Sequence, residues 1–256
     1  NLELAKKLID MAYVAGCDAV KFQKRTVDVV YTQAELAKPR DSVFGDTNGD
    51  LKRGLEFSYD DYVEIDKYCK AKGMLWFASC WDEASVDFME QFNPPCYKIA
   101  SASITDLDLV KYTANTRKPI LLSTGMSTLE EIDKAINLIQ DVPHMVYHCT
   151  STYPSDVNEI NLSAIGNLKE RYNCPVGYSG HEKGIMPSVV SVALGASSVE
   201  RHITIDRTLW GSDQAASLEP RGLMLMVRDI RNTPAILGDG VKKVYDSEIP
   251  IRVKLR

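Results

Sequence analysis

The sequence predicts an α/β protein of the (β/α)₈ TIM-barrel class, and three observations carry that prediction. Short apolar or β-branched runs alternate with amphipathic helical stretches, the runs recur at a steady interval, and no GxGxxG turn follows any of them. The runs read as strands are "DAVKFQ" (18–23), "MLWFAS" (74–79), "CYKIAS" (96–101), "PILLST" (119–124), "HMVYHCTS" (144–151), "CPVGYS" (174–179) and "SVERHI" (198–203). From Ser79 to His202 their ends fall 22 to 28 residues apart, the length of a loop, a helix and a strand. Units of that size imply parallel strands with right-handed crossovers. A doubly wound open sheet is the runner-up, and the absent dinucleotide turn counts against it. Seven strands are visible and the chain opens inside a helix, so we expect the barrel's first strand to be missing from this chain.

The elements follow in order. "NLELAKKLIDMAYVAGC" reads as an amphipathic helix rather than a signal peptide, because charges interrupt every apolar run. Residues 24–57 are rich in Pro, Gly, Asp and Asn and read as one extended loop over an end of the barrel. "SYDDYVEIDKYCKAKG" has Ser58 as N-cap and Gly73 as C-cap. "TDLDLVKYTANT" and "GIMPSVVSVALG" continue the alternation, and "STLEEIDKAINLIQ" pairs Ser127 with Glu130 as a capping box. The tail "YDSEIPIRVKLR" is too short for a second domain, so residues 1–256 read as one domain.

Composition narrows the function classes. A formal charge of −5 with no Lys/Arg cluster gives no field for nucleic acid. No apolar run approaches the roughly 18–20 residues a membrane helix needs. Six cysteines without CxxC spacing read as reduced thiols of a cytoplasmic protein rather than a disulfide framework.

In such a barrel the site lies at the carboxyl ends of the strands. Chemical side chains gather there: Lys21 and Gln23, then Ser79, Lys98 with Ser101, Ser123 with Thr124, Thr150, Ser151 and Tyr153, Ser179 with His181, and His202. A single histidine near a strand end is ordinarily a hydrogen-bonded structural residue. Two on neighbouring strands, about 4.8 Å apart, can share a divalent ion whose other positions stay open to water and substrate oxygens. A lysine inside an apolar strand ordinarily buries its stem and lets its ammonium escape. Two such ammonium groups at a barrel mouth repel unless an anion sits between them, and serine hydroxyls beside them make a phosphate or carboxylate pocket. The bland alternative for the serines is helix capping. Asp213, in "DRTLWGSDQAASLEP", either accepts from sugar hydroxyls or caps the helix near Glu219; spacing does not decide.

The segments "KFQ", "YKIAS", "LLSTGMST", "HCTSTYP", "GYSGHE", "ALGASSVERHIT" and "GSDQAASLEP" together, and in this order over nearly the whole chain, resemble the sialic acid synthase family. The resemblance implies a TIM barrel that condenses phosphoenolpyruvate with an N-acyl aldose such as N-acetylmannosamine. The product is a nine-carbon 2-keto-3-deoxy acid, with release of phosphate. It implies a divalent metal, commonly Mn²⁺ with Mg²⁺ or Co²⁺ as substitutes, on His181 and His202. By the matching motifs Lys98, Ser101, Ser79, Ser123 and Ser179 hold the phosphate with Lys21 and Gln23 nearby, while Tyr153 and Asp213 face the sugar. Relatives of the same chemistry use legionaminic-type, spore-coat or 3-deoxy-octulosonate-type acceptors; a non-catalytic sugar-binding barrel is the rival from another class. The chain departs from the family pattern at Ala102 and Ser103, where many members have Gly and Glu, and at Ser151, where some have Asn. The family's first-strand Glu and the turn after it have no counterpart here. Nothing after Arg256 could form the C-terminal antifreeze-like domain of many bacterial members. The expected partners are the two small molecules and, as a homodimer, a second copy.

Overall fold

The computed structural model describes residues 1–256. Helix α1 (Leu2–Ala15) is capped by the Asn1 side chain, which accepts from the Leu4 N–H, and ends at Gly16 in the left-handed region. It turns Ala5, Ile9, Met11 and Ala12 inward, so the amphipathic reading of the first residues holds. Strand β1 (Ala19–Lys24) follows.

The next stretch was expected to be one extended loop and is instead built from small elements: α2 (Val27–Val30), α3 (Gln33–Leu36), an antiparallel hairpin of β2 (Pro39–Ser42) with β3 (Gly45–Thr47), and α4 (Asn48–Leu55). The physical reason is local capping. Thr47 accepts from the Asp50 N–H while the Asp50 carboxylate accepts back from Thr47, a reciprocal cap that starts α4. Phe57 packs edge-on against Phe22 and Tyr62, which roots the end of the insert in the core.

The repeat then runs α5 (Tyr59–Lys72), β4 (Leu75–Cys80), α6 (Glu83–Glu90), β5 (Tyr97–Ile99), α7 (Leu107–Asn115), β6 (Ile120–Ser123), α8 (Leu129–Ile139), β7 (His144–Cys149), α9 (Ala164–Tyr172), β8 (Val176–Gly180), α10 (Met186–Ala193), β9 (Val199–Arg201) and α11 (Pro220–Leu237), with a short α12 (Ile249–Leu255) at the end. Ser58 and Gly73 cap α5 as the sequence indicated. The capping box of α8 lies one residue later than expected: Thr128 and Glu131 form it, and the Ser127 hydroxyl instead donates to the Gly125 carbonyl. No helix is long and apolar enough to cross a membrane.

All seven strands read from the sequence are present, each parallel to the next, in the order β1-β4-β5-β6-β7-β8-β9. The core lies between this sheet and the helices around it. Ile120, Leu122, Val146 and Val176 are wholly buried on that outer face, each contributing about 1.5–3 kcal/mol. The sheet curls far enough that Glu200 on β9 reaches Lys21 on β1 at 3.5 Å. The two edge strands are not hydrogen-bonded to each other. Between them lies an apolar slot of about 610 Å³, walled by β1, β9, α1 and α11. The architecture is therefore a curled seven-stranded α/β half-barrel, and the six cysteines are free thiols.

Candidate active site

Strand alternation sends every second side chain into the ring. The register lines up Gln23, Ser79 and Lys98 across β1, β4 and β5, and Cys149, Ser179 and Glu200 across β7, β8 and β9. These rows converge on a cavity of about 300 Å³ at the carboxyl ends of the strands. Its walls include Lys21, Gln23, Ser79, Lys98, Ser101, Ser123, Ser151, Tyr153, Ser179, His181 and His202. Thr124, Thr150 and Asp213 lie outside that lining: the two threonine hydroxyls donate to the Tyr147 and Glu159 carbonyls, and the Asp213 carboxylate stands 3.6 Å from His202 Nδ1, at the rim. It does not cap the helix near Glu219, since α11 starts at Pro220 without a side-chain cap.

The lysines point inward, and Lys98 is 2% exposed. The anion between them is one the sequence reading missed, the Glu200 carboxylate. Lys98 Nζ donates to Glu200 Oε2 at 2.7 Å, Lys21 Nζ lies 3.5 Å from Oε1, and the Ser179 hydroxyl donates to Oε1 at 3.3 Å. The sequence asks for an anion between the two ammonium groups, and the chain supplies one itself on β9. Burial alone would raise the Glu200 carboxyl, but Lys21 and Lys98 together hold it below the usual carboxylate range. Burial lowers Lys21 from its ordinary value, with Glu200 opposing and Lys98 adding to the shift. The Lys98 ammonium also sits over the Tyr147 ring at 4.6 Å.

A second cluster lines the wall at the ends of β5, β6 and β7. Ser101 Oγ accepts from the Gly125 N–H at 3.0 Å and lies 3.2 Å from Cys149 Sγ. Gly125 has room for a side chain only if the hydroxyls beside it move. A Cβ there would stand 2.1 Å from Ser151 Oγ and 2.9 Å from Ser101 Oγ, so the backbone approaches these hydroxyls as closely as only glycine allows. Ser151 Oγ is buried without a hydrogen-bond partner. Buried hydroxyls are normally satisfied, and this one faces the cavity, so the cluster fits an oxygen-rich ligand. Gln23 is less free than expected, because its Oε1 accepts from Arg25 at 2.7 Å. Arg25 is itself fixed by Glu56 at 2.8 Å.

The two imidazoles meet. The His181 and His202 ring centroids are 5.4 Å apart at 69°, and Tyr153 packs on His181 at 4.2 Å and on His202 at 5.5 Å. His181 Nδ1 is engaged with the Thr150 carbonyl at 2.7 Å, which leaves Nε2 for a ligand. Burial lowers both histidines, His202 to about 4 with Lys21 and His181 adding to the effect. Both are therefore neutral donors at pH 7. No third His, Cys, Asp or Glu joins them into a closed cage. Two neutral nitrogens with open positions fit a divalent ion that takes its remaining oxygens from water and substrate.

Comparison with known proteins places the whole chain in one family. The NeuB family profile matches residues 8–242. The chain is 36% identical over 260 residues to N-acetylneuraminate-9-phosphate synthase of Homo sapiens, covering 100% of this chain and 72% of that protein. It is 33% identical over 269 residues to N,N'-diacetyllegionaminic acid synthase of Legionella pneumophila, covering 100% and 75%. The crystal structure of N-acetylneuraminic acid (sialic acid) synthetase from Leptospira borgpetersenii, in complex with citrate, superposes with a TM-score of 0.85 at 31% identity, covering 100% of this chain and 87% of that one. The chain belongs to the NeuB family.

Proposed function

We propose that this synthase-type enzyme condenses phosphoenolpyruvate with an N-acyl aldose, giving a nine-carbon 2-keto-3-deoxy acid of the sialic type and inorganic phosphate. The observation that carries the reading is the adjacency of two subsites in one cavity: an ammonium and hydroxyl cradle around Lys21, Lys98, Ser101 and Ser151, and a pair of neutral imidazoles beside it. Relatives named for nonulosonic acid synthesis support the product class.

In this reading Lys98, Lys21 and the hydroxyls of Ser79, Ser101, Ser123 and Ser151 bind the phosphate and carboxylate of the enol phosphate. As the enol C3 bonds to the aldehyde carbon and water adds at C2, the ammonium groups stabilise the charge on the departing phosphate. Glu200 holds both lysine side chains aimed into the cavity between turnovers. A divalent cation, Mn²⁺ by the family's habit, would supply Lewis-acid polarisation of the aldehyde oxygen, held by His181 and His202. Tyr153 holds both imidazoles on one side, and Asp213 stands at the rim where sugar hydroxyls would enter. The slot between β1 and β9 suits an eighth parallel strand in polarity and shape, which would close the ring. The six free thiols suit a reducing cytoplasmic setting. A homodimer, checked by sedimentation, completes the proposal.

A second reading keeps the chemistry and changes the acceptor. It is favoured by Ser103, buried where many members carry Glu, and by the similarity to a legionaminic acid synthase. Phosphate release from phosphoenolpyruvate with Mn²⁺ tests both: N-acetylmannosamine, its 6-phosphate and diacetylated 6-deoxy analogues are compared with and without chelator. Release that depends on acceptor and metal is expected. No release with any N-acyl aldose would overturn the catalytic reading.

A further inference from the structure

The backbone ladder between β8 and β9 ends at the pair Gly180↔Arg201. His181 and His202 are the next residues after it, and their carbonyls accept from the Ser155 and Leu218 N–H groups rather than from each other's strand. Behind the wall, on the face away from the cavity, side chains tie the two strand ends together. Arg201 and Glu182, the outward neighbours of the two histidines, form an ion pair in which Arg201 Nη1 donates to Glu182 Oε1 at 2.8 Å, with side chains only 1% and 3% exposed. The Arg201 fork reaches further. Nη1 also donates to the Gly184 carbonyl at 2.9 Å and to Ser188 Oγ at 3.0 Å, and Nη2 donates to the Glu182 carbonyl at 2.6 Å. The turn after His181 and the first turn of α10 are thereby tied to the residue before His202. The Tyr178 hydroxyl donates to the second carboxylate oxygen, Glu182 Oε2, at 2.7 Å.

The end of β8 is shaped to admit this pair. A Cβ on Gly180 would stand 2.6 Å from Glu182 Oε2 and 2.7 Å from the Tyr178 ring. Burying two charges costs desolvation, and apolar residues of like volume commonly serve stability as well or better. A planar five-donor fork, however, fixes several chain segments relative to one another, which apolar packing does not. Resting on the cation reading above, we propose that the Arg201–Glu182 ion pair is the device that sets the spacing of the His181 and His202 imidazoles. Both are positioning residues that govern cation affinity without touching the cation or the substrates.

The test compares Mn²⁺ alone, read by electron paramagnetic resonance, and inorganic phosphate in chelator, read by calorimetry. The proteins are the wild type, R201K, E182Q, H202A and the double variant R201M/E182L. The double variant removes both charges together and so leaves no unpaired buried ion. Groups that orient metal ligands typically change affinity roughly 10–100-fold. R201K, E182Q and the double variant are expected to weaken Mn²⁺ binding by that factor and leave phosphate affinity within about twofold of wild type. A folded double variant that binds Mn²⁺ as wild type does overturns the proposal, as does a parallel loss of phosphate affinity, which would mark the pair as general scaffolding. If H202A binds Mn²⁺ like the wild type, the cation reading itself falls; if H202A loses Mn²⁺ while R201K does not, only the positioning role falls.

Discussion

Lys98 Nζ and Glu200 Oε2 lie 2.7 Å apart on the floor of the cavity, 102 residues apart in sequence. The pair means that the phosphate cradle carries its own counter-ion. Removing one partner of a buried ion pair leaves an uncompensated charge and costs about 3 kcal/mol or more. Glu200→Gln leaves two ammonium groups facing each other, so its melting temperature falls in phosphate-free buffer. Inorganic phosphate then takes the vacated role and raises that temperature by more than it does in the wild type. Equal phosphate shifts in the two proteins would show that Glu200 does not share the ammonium groups with the ligand.

Gly125 offers a probe of the hydroxyl cluster that leaves the charges alone. Its substitution by Ala places a methyl 2.1 Å from Ser151 Oγ and 2.9 Å from Ser101 Oγ, contacts that are relieved by rotating the Ser151 hydroxyl away and by a small shift of Ser101. Gly125→Ala is therefore expected to fold with little loss of stability but to weaken phosphoenolpyruvate binding at least tenfold, about 1.4 kcal/mol. Calorimetry at fixed pH decides it: unchanged affinity would mean that the cradle lies elsewhere in the cavity.

These two residues show what the sequence could and could not disclose. The β/α period carried all seven strands, because parallel strands and crossover helices have lengths set by sheet and helix geometry. It also carried eleven of the cavity's lining residues, because alternation and strand ends are local properties. Glu200 escaped because a Glu between Val and Arg in a three-residue strand looks like a surface carboxylate; its meaning depends on Lys21 and Lys98 across the ring. The signal was present nonetheless. Glu200 and His202 are two apart and so share a face, and two inward lysines demand a carboxylate. The insert at 24–57 differs for the opposite reason: its Gly, Asp and Asn residues look like loop formers in the sequence, yet Thr47 and Asp50 cap a helix there.

Burial lowers His148, His181 and His202, the last to about 4, with Lys21 and His181 adding and Asp213 and Glu200 opposing. The folded apo-protein therefore holds neutral rings where the unfolded chain, with histidines near 6.5, takes protons. The stability these rings contribute is fully present above pH 6.5 and is lost as the pH falls through about 4. Urea midpoints of the metal-free protein are expected to drop between pH 7 and pH 4.5, and His202→Gln to flatten that drop by on the order of 1 to 2 kcal/mol. Identical slopes for the two proteins would show that His202 does not titrate abnormally.

The cradle and the imidazole pair feel each other's charge but share no hydrogen bond, so they can be disabled one at a time. His202 makes no hydrogen bond to Lys98, Glu200 or Ser179, which bond to one another. His202→Ala is expected to abolish metal-dependent phosphate release, by 10³-fold or more if the cation supplies about 4 kcal/mol of transition-state stabilisation, while phosphate affinity in chelator changes less than threefold. Lys98→Met is expected to do the reverse, losing phosphate affinity while Mn²⁺ alone still binds. Magnetic resonance of Mn²⁺ and calorimetry of phosphate, run on both variants, would reveal a single merged site if each substitution removed both ligands together.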